Sequence, residues 1–381
     1  MGQAILSPAD KSQIIIMRRV CRFKPRSRTL QAITCFDYPQ TLEVRAEGMG
    51  ASNRMTASTV LVATWSNGLF VFSGRTRAQV DLANHPVRAL APDGHGGAIA
   101  IVDGRSLYRR APNGVWSTIA KTEFDLACCV SVGNVIYAGT DDAHVLRVSA
   151  AGEIEQLRGF DAVAGRDKWY AGSAIVNGKR VGPPLGIRSI TATSDGAVLL
   201  ANVHVGGIPR SVDAGVTWQP TIDIDSDVHE VRAHPNRPAV VVAAAAAGLC
   251  SSSDGGATWS IENAGLHAPH CYAVAFAGDD VLVSAAESPF APKGAIYRWR
   301  PDGQLDEQMA EQMDEHCPLV KAAGGLPEWL DGKADTHCIA THGSTAAIAD
   351  WGGNLYISAD TGRTWSRQAD GMPPPSSVLI V

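Results

Sequence analysis

Histidine supplies the side chains best suited to chemistry in this sequence. His229, His270 and His337 each open a short apolar segment, and His229 and His270 stand 41 residues apart. His204, in Asn202-Val203-His204-Val205-Gly206-Gly207, closes another such segment. Imidazole titrates near neutrality and is a frequent ligand of zinc, copper and iron. Three of them in one place could hold a divalent ion, move a proton or donate hydrogen bonds. His229, His270 and His337 are therefore the metal-binding candidates. Asp227, Glu230, Glu287, Asp350 and Trp351 sit at neighbouring segment ends and, with His204, complete the candidate ligand-binding set. The plain alternative is that each histidine satisfies a backbone group between packed elements. A divalent metal is the only cofactor these residues suggest, and no catalytic residue stands out.

These groups meet only if a repeat brings them together. Three octapeptides share the pattern Ser-x-Asp-x-Gly-x-Thr-Trp. They contain Ser211, Asp213, Gly215 and Trp218; Ser252, Asp254, Gly256 and Trp259; and Ser358, Asp360, Gly362 and Trp365. Asp213 and Asp254 are 41 residues apart, and Asp254 and Asp360 are 106 apart. The longer gap fits two repeats plus an insertion of roughly 25 residues. Apolar runs bounded by Gly, Pro, Asn and Asp read as four strands per repeat, A to D, with the box between C and D. Strand A is expected near Val87, Phe124, Ile187, Val228, His270 and His337. In five units strand B follows 11 residues after the start of A, at Ala98, Val135, Val198, Val240 (counted from His229) and Val281.

The ends complete the count. The unit beginning at Thr59 has segments for B, C and D but none for A. Residues Ser376–Val381 stand in strand-A register after the last box. Pairing them into the first unit gives six complete repeats and one shared between the ends. Such closure removes the exposed edges of an open array. The expected fold is all-β, with seven blades.

The boxes resemble the Asp-box (BNR) repeats of β-propellers. Within the WD40/YVTN/BNR-like superfamily, that group includes sialidases, sortilin-type receptors and photosystem II stability/assembly factors. The resemblance spans residues 57–381 at the level of the repeat. It implies a seven-bladed β-propeller over residues 55–381, with the box aspartates acting as turn staples. Many activities share such a scaffold, so the resemblance speaks to fold more than to function.

A sialidase-like glycoside hydrolase would need an arginine triad, a Tyr–Glu pair and an acidic Asp. Arg88 and Arg188 share a register, but Arg232 is displaced by two positions and no Tyr–Glu pair stands out. Gly207-Ile208-Pro209-Arg210 also reverses the family's Arg-Ile-Pro order. The favoured reading is a ligand-binding or protein-assembly propeller that takes a small molecule or protein segment. A sialidase-like or other hydrolase or lyase, and a metal-binding propeller, are the alternatives.

In an antiparallel blade the C–D turns share a face with the A–B turns. The boxes therefore mark one face, and the candidates belong to the other. Two insertions, 159–186 and 306–335, are both expected as D–A links on the candidate face. The first carries Arg166, Asp167, Trp169, Tyr170, Lys179 and Arg180. The second opens on a helical stripe of Leu305, Met309 and Met313.

Composition narrows the partners. The chain has 381 residues, 45% hydrophobic and 19% charged, which suits a globular protein. No apolar run approaches the ~20 residues of a membrane span. Residues 1–54 carry a local +5, including Lys11, Arg18, Arg19, Arg22, Lys24, Arg26 and Arg28, leaving −10 on the remainder. This first segment is expected to be a flexible, solvated extension outside the fold. A body so acidic is a poor nucleic-acid binder. Eight cysteines without a CxxC pair indicate neither a disulfide framework nor a zinc knuckle. With only Ile14–Met17 as a candidate signal core, a cytoplasmic location is expected.

Overall fold

The computed structural model describes residues 58–74, 78–170, 174–176, 179–181, 185–301 and 318–381. The 1–54 segment and the Leu305, Met309 and Met313 stripe lie outside the described residues. The rest is a seven-bladed β-propeller of antiparallel sheets. Runs such as Ala98–Val102 and Val241–Ala245 are apolar and buried at every position. Both faces of those strands are covered by neighbouring blades, which removes the alternation of a half-exposed strand.

The inner strands of blades two to seven are Val87–Pro92, Leu126–Val132, Ile187–Ala192, Val228–Ala233, Cys271–Ala277 and Ile339–His342. The inner strand of blade one is Pro375–Ile380. Each packs against the next around the ring, and Pro375–Ile380 packs against both Ile339–His342 and Val87–Pro92. Pro375–Ile380 pairs antiparallel with Thr59–Thr64, matching Val60 with Ile380, Leu61 with Leu379 and Val62 with Val378. Thr59 and Val381 exchange two backbone hydrogen bonds of 2.9 Å.

The core is divided among the seven interfaces between blades. Leu61, Leu69, Leu90 and Ala100 join blades one and two, and Ile99, Leu107, Ile136 and Leu146 join two and three. Comparable clusters fill the other five interfaces, ending with Val60, Phe70, Leu355 and Val378 between blades seven and one. All five cysteines among the described residues are free and buried. Among the described residues no helix is long and apolar enough to cross a membrane.

The first insertion is a D–A link, as expected, and among its described residues Phe160, Val163 and Trp169 are buried. Phe160 from the short helix Arg158–Asp161 stacks edge-on against Trp218, and Trp169 is buried beside it. The second does not form one long D–A link. Val320–Lys321 and Leu330–Asp331 both pair with Lys293–Trp299 and form the outer edge of blade six. Strand D of blade six is therefore Val320–Lys321, inside the span expected to be the link. The proline- and glycine-broken spacing of 318–335 hid these two-residue strands.

In each box the Asp accepts hydrogen bonds from within its own turn. Asp213 takes the Thr217 N–H at 2.9 Å and the Thr217 hydroxyl at 2.6 Å, and Ser211 Oγ donates to it at 2.7 Å. Asp254 and Asp360 repeat the pattern with Thr258 and Thr364. Gly215 has φ 89°, and a Cβ there would lie 2.5 Å from Leu157 Cδ1, so glycine is required twice over. The Thr217 and Thr258 contacts, hydroxyl first, hold the Asp213 and Asp254 carboxyls at about 2, against 3.8 normally.

Two outcomes follow from this architecture. A chain lacking residues 375–381 should lose its cooperative thermal transition and aggregate through the bared edge of Thr59–Thr64, as calorimetry and light scattering would show. Because the box carboxyls titrate lower in the folded state, they stabilise it above about pH 4 and lose that contribution as pH falls toward about 2. A D213N/D254N/D360N variant should have a lower Tm at pH 7. Its Tm should also change less than that of the wild type between those two pH values.

Candidate functional site

The face away from the boxes is where inner strands begin and second strands end. In blades two to six the pairing register of the inner strand slips at its second residue. The extra residue is Arg88, Ala127, Arg188 and His229 in turn; in blade six, Tyr272 and Ala273 share the place opposite Ser284. A bulge frees a side chain from strict alternation and re-aims it. Blades four to six use it to bring Arg188, His229 and Tyr272 together at the mouth of the channel.

The B–C and D–A links add the remaining groups. His204 follows the second strand of blade four, and Asp227 precedes the inner strand of blade five at φ 48°, held by the end of a short helical turn. Asp227 Oδ1 lies 3.4 Å from His204 Nε2 and 3.7 Å from His229 Nε2. The His229 ring stacks on Tyr272 at 4.9 Å with planes 2° apart, and on His270 at 5.7 Å. Lys333 places its ammonium 3.9 Å from the Tyr272 ring centre and 3.2 Å from Asp335. Arg188 donates to Thr336 at 2.6 Å, to Asp335 at 3.3 Å and to His204 Nε2 at 3.2 Å.

Burial sets the charge states. It pushes His204 down to about 3, with Arg188 adding to the effect, and it pushes His229 well below its ordinary value. Both rings are neutral near pH 7, with lone pairs available. Burial also lowers Lys333 against the pull of Asp335, and raises Asp227 against the pull of Arg188. For Asp335 burial alone would raise the carboxyl, but Arg188 and Lys333 outweigh it. Three buried polar atoms here have no hydrogen-bond partner: His204 Nδ1, Asp227 Oδ1 and Tyr272 Oη. Unpaired buried polar groups are costly, so these three atoms are ones that a bound molecule could satisfy.

The residues singled out in the sequence divide into two groups. His204, Asp227, His229 and His270 meet at the mouth, with Trp351 over Lys333 at 4.9 Å. His337 does not join His229 and His270 in a set of three ligands. Its Nε2 lies 2.9 Å from the Arg188 carbonyl oxygen, and its Nδ1 contacts Arg232 and Glu230. Glu230 is fully buried and accepts the N–H groups of Val274 and His337, linking blades five, six and seven. Asp350 caps its own turn through Asn354 and Asp331, and Glu287 stands exposed after strand B of blade six. Arg88 and Arg188 do not converge, since Arg88 forms a bidentate pair with Asp141 at 2.6 Å. Tyr272, Lys333 and Asp335 were not singled out from the sequence. For Tyr272 the available signal was its place at the start of an inner strand, as for Arg188 and His229.

The same face carries a rim. Among the described residues the large aromatics that stand exposed are Trp65 (51%), Tyr170 (53%), Phe290 (73%) and Trp351 (37%). All four lie in B–C or D–A links. A cleft of about 370 Å³ opens beside blades two and three, lined by Glu123, Phe124, Asp125, Asp141 and Asp142. Arg88 and Arg105 offset only part of its negative charge.

No protein-family model matches the sequence, and no curated protein matches it. Solved structures do resemble it. A candidate 6-phosphogluconolactonase from Bacteroides uniformis aligns with TM-score 0.57 at 15% identity, covering 86% of this chain and 100% of that one. The GH74 enzyme of Niastella koreensis aligns with TM-score 0.53 at 12% identity, over 83% of this chain and 47% of that one. An ancestral GH74 enzyme gives 0.52 at 12%, over 86% and 40%. This chain thus spans less than half of either GH74 enzyme. At such identities the likeness is one of fold.

Glu230→Ala should cost about 3–5 kcal/mol in urea denaturation, because it strands Arg232 and two buried N–H groups. Glu230→Gln should cost less, since the amide oxygen still accepts.

Proposed function

We propose that this propeller is a binding or assembly module that receives a protein segment on the face opposite the boxes. The observation that carries the reading is the placing of every exposed large aromatic among the described residues on that one face. Aromatic side chains that stay in water on a folded surface are the usual anchors of protein interfaces. Phe290, Trp351 and Trp65 lie on the consecutive blades six, seven and one, with Tyr170 apart on the link between blades three and four, a spread that suits an extended partner better than a compact small molecule. The acidic cleft beside blades two and three favours a segment carrying a basic side chain. The unpaired polar atoms at the mouth offer hydrogen bonds at its centre.

The hydrolase and lyase alternatives draw on likeness of fold, which does not transfer activity. Photo-crosslinking side chains at Tyr170 or Phe290, compared with the box-face positions Val212 and Val216, test the reading in cells. Capture of one defined species from the two mouth positions alone, reduced by Trp351→Ala, is the expected result. Equal capture from both faces would count against it. So would turnover of a glycoside or lactone panel by purified protein that is lost on Asp227→Asn.

A further inference from the structure

We propose that His204, Asp227 and His229 bind one divalent transition-metal ion of the zinc class at the channel mouth. The inference stands apart from the identity of any protein partner. Among the described residues this is the one group of three or more His, Cys, Asp or Glu whose ligand atoms all lie within 4.8 Å of one another.

The spacing suits an ion. A tetrahedral zinc with bonds of about 2.0–2.1 Å sets its ligand atoms roughly 3.4 Å apart. Asp227 Oδ1 is 3.4 Å from His204 Nε2 and 3.7 Å from His229 Nε2. Only small side-chain shifts separate this arrangement from a coordination shell.

The outer group of His229 is also in place. His229 Nδ1 lies 2.6 Å from the Cys271 carbonyl oxygen, which fixes the proton on Nδ1 and leaves the Nε2 lone pair facing Asp227. A histidine oriented through its other nitrogen by a backbone carbonyl is the usual arrangement of a metal ligand. Asp227 Oδ1 is buried without a hydrogen-bond partner. Two acceptors thus face each other out of water, an arrangement that a shared cation relieves. The backbone of Asp227, at φ 48°, sets its carboxyl before any ligand arrives. Its side chain is about one-third exposed, at 31%, so an ion can enter from the mouth and keep an open position there. Two imidazoles and one carboxylate with a vacant position suit zinc, cobalt or ferrous iron better than calcium or magnesium.

Arg188 opposes the ion. Its Nη1 lies 3.2 Å from His204 Nε2 and uses the same lone pair, while Nη2 stays anchored to Thr336 and Asp335. Metal binding displaces one hydrogen bond of Arg188 and works against its charge. Removing the guanidinium should therefore tighten binding, a result that a purely structural role for the cluster does not produce.

The test uses the full chain, stripped of metal with a chelator and dialysed against Zn²⁺ or Co²⁺. Elemental analysis gives the stoichiometry, and visible absorption of the cobalt form gives the geometry. The expected result is one ion per chain with tetrahedral-type cobalt bands. Binding should weaken in His204→Ala, His229→Ala and Asp227→Asn by more than the roughly tenfold to hundredfold that loss of an outer partner costs, and tighten in Arg188→Met. His95→Ala, on the box face, should bind as the wild type does. Asp227→Asn keeps the size and backbone preference of the turn, and circular dichroism confirms folding of each variant. Three results would overturn the proposal: no uptake at millimolar metal, unchanged affinity in a folded Asp227→Asn chain, or binding that survives His229→Ala but not His270→Ala.

Discussion

The antiparallel pairing of Pro375–Ile380 with Thr59–Thr64 is the contact on which the rest of the molecule depends. Without it, blade one lacks its inner strand, and the apolar layers on either side of that blade each lose a wall. Because the ring is closed, every inner strand has two neighbours and a fixed angular place. Residues separated by a hundred positions in sequence, such as Glu230 and His337, are thereby held within hydrogen-bonding distance.

Closure alone would leave the inner-strand side chains alternating in the ordinary way. The repeated bulge at the second residue changes that, and different blades use it differently. In blade two it delivers Arg88 to Asp141, a neighbouring-blade contact. In blades four, five and six it delivers a guanidinium, an imidazole and a phenol ring to a common hub. The hub balances two cations against two carboxylates and leaves its imidazoles neutral. Burial works against charge there, and Asp335 keeps its charge because Arg188 and Lys333 lie within 3.3 Å.

Most of the architecture was legible in the sequence because the repeat is written in turns. The Ser-x-Asp-x-Gly-x-Thr-Trp spacing fixes where strands C and D meet, and the 11-residue step places strand B to within one position, at Leu199, Val241 and Asp280. His204, Asp227, His229 and His270 lie near one another on the face that antiparallel alternation assigns to them. What could not be read were the effects of geometry beyond the repeat. A bulge leaves no mark in hydrophobic alternation when both sheet faces are buried, so nothing in that pattern sets Tyr272 apart. Lys333 and Asp335 lie in the 306–335 span, where two-residue strands carry no periodicity. His337 sits in the same register as its counterparts, but its φ of 66° and its bond to the Arg188 carbonyl turn it toward a structural task.

The seam has a topological corollary. Thr59 and Val381 hydrogen-bond to each other as directly as any two residues within a blade. The described polypeptide is therefore a circle with an arbitrary cut, and a short bridge across Thr59 and Val381 would allow new termini at a box-face turn such as Gly94–Gly96. A circular permutant of this kind would leave the opposite mouth intact while moving the seam of the ring to a blade of choice.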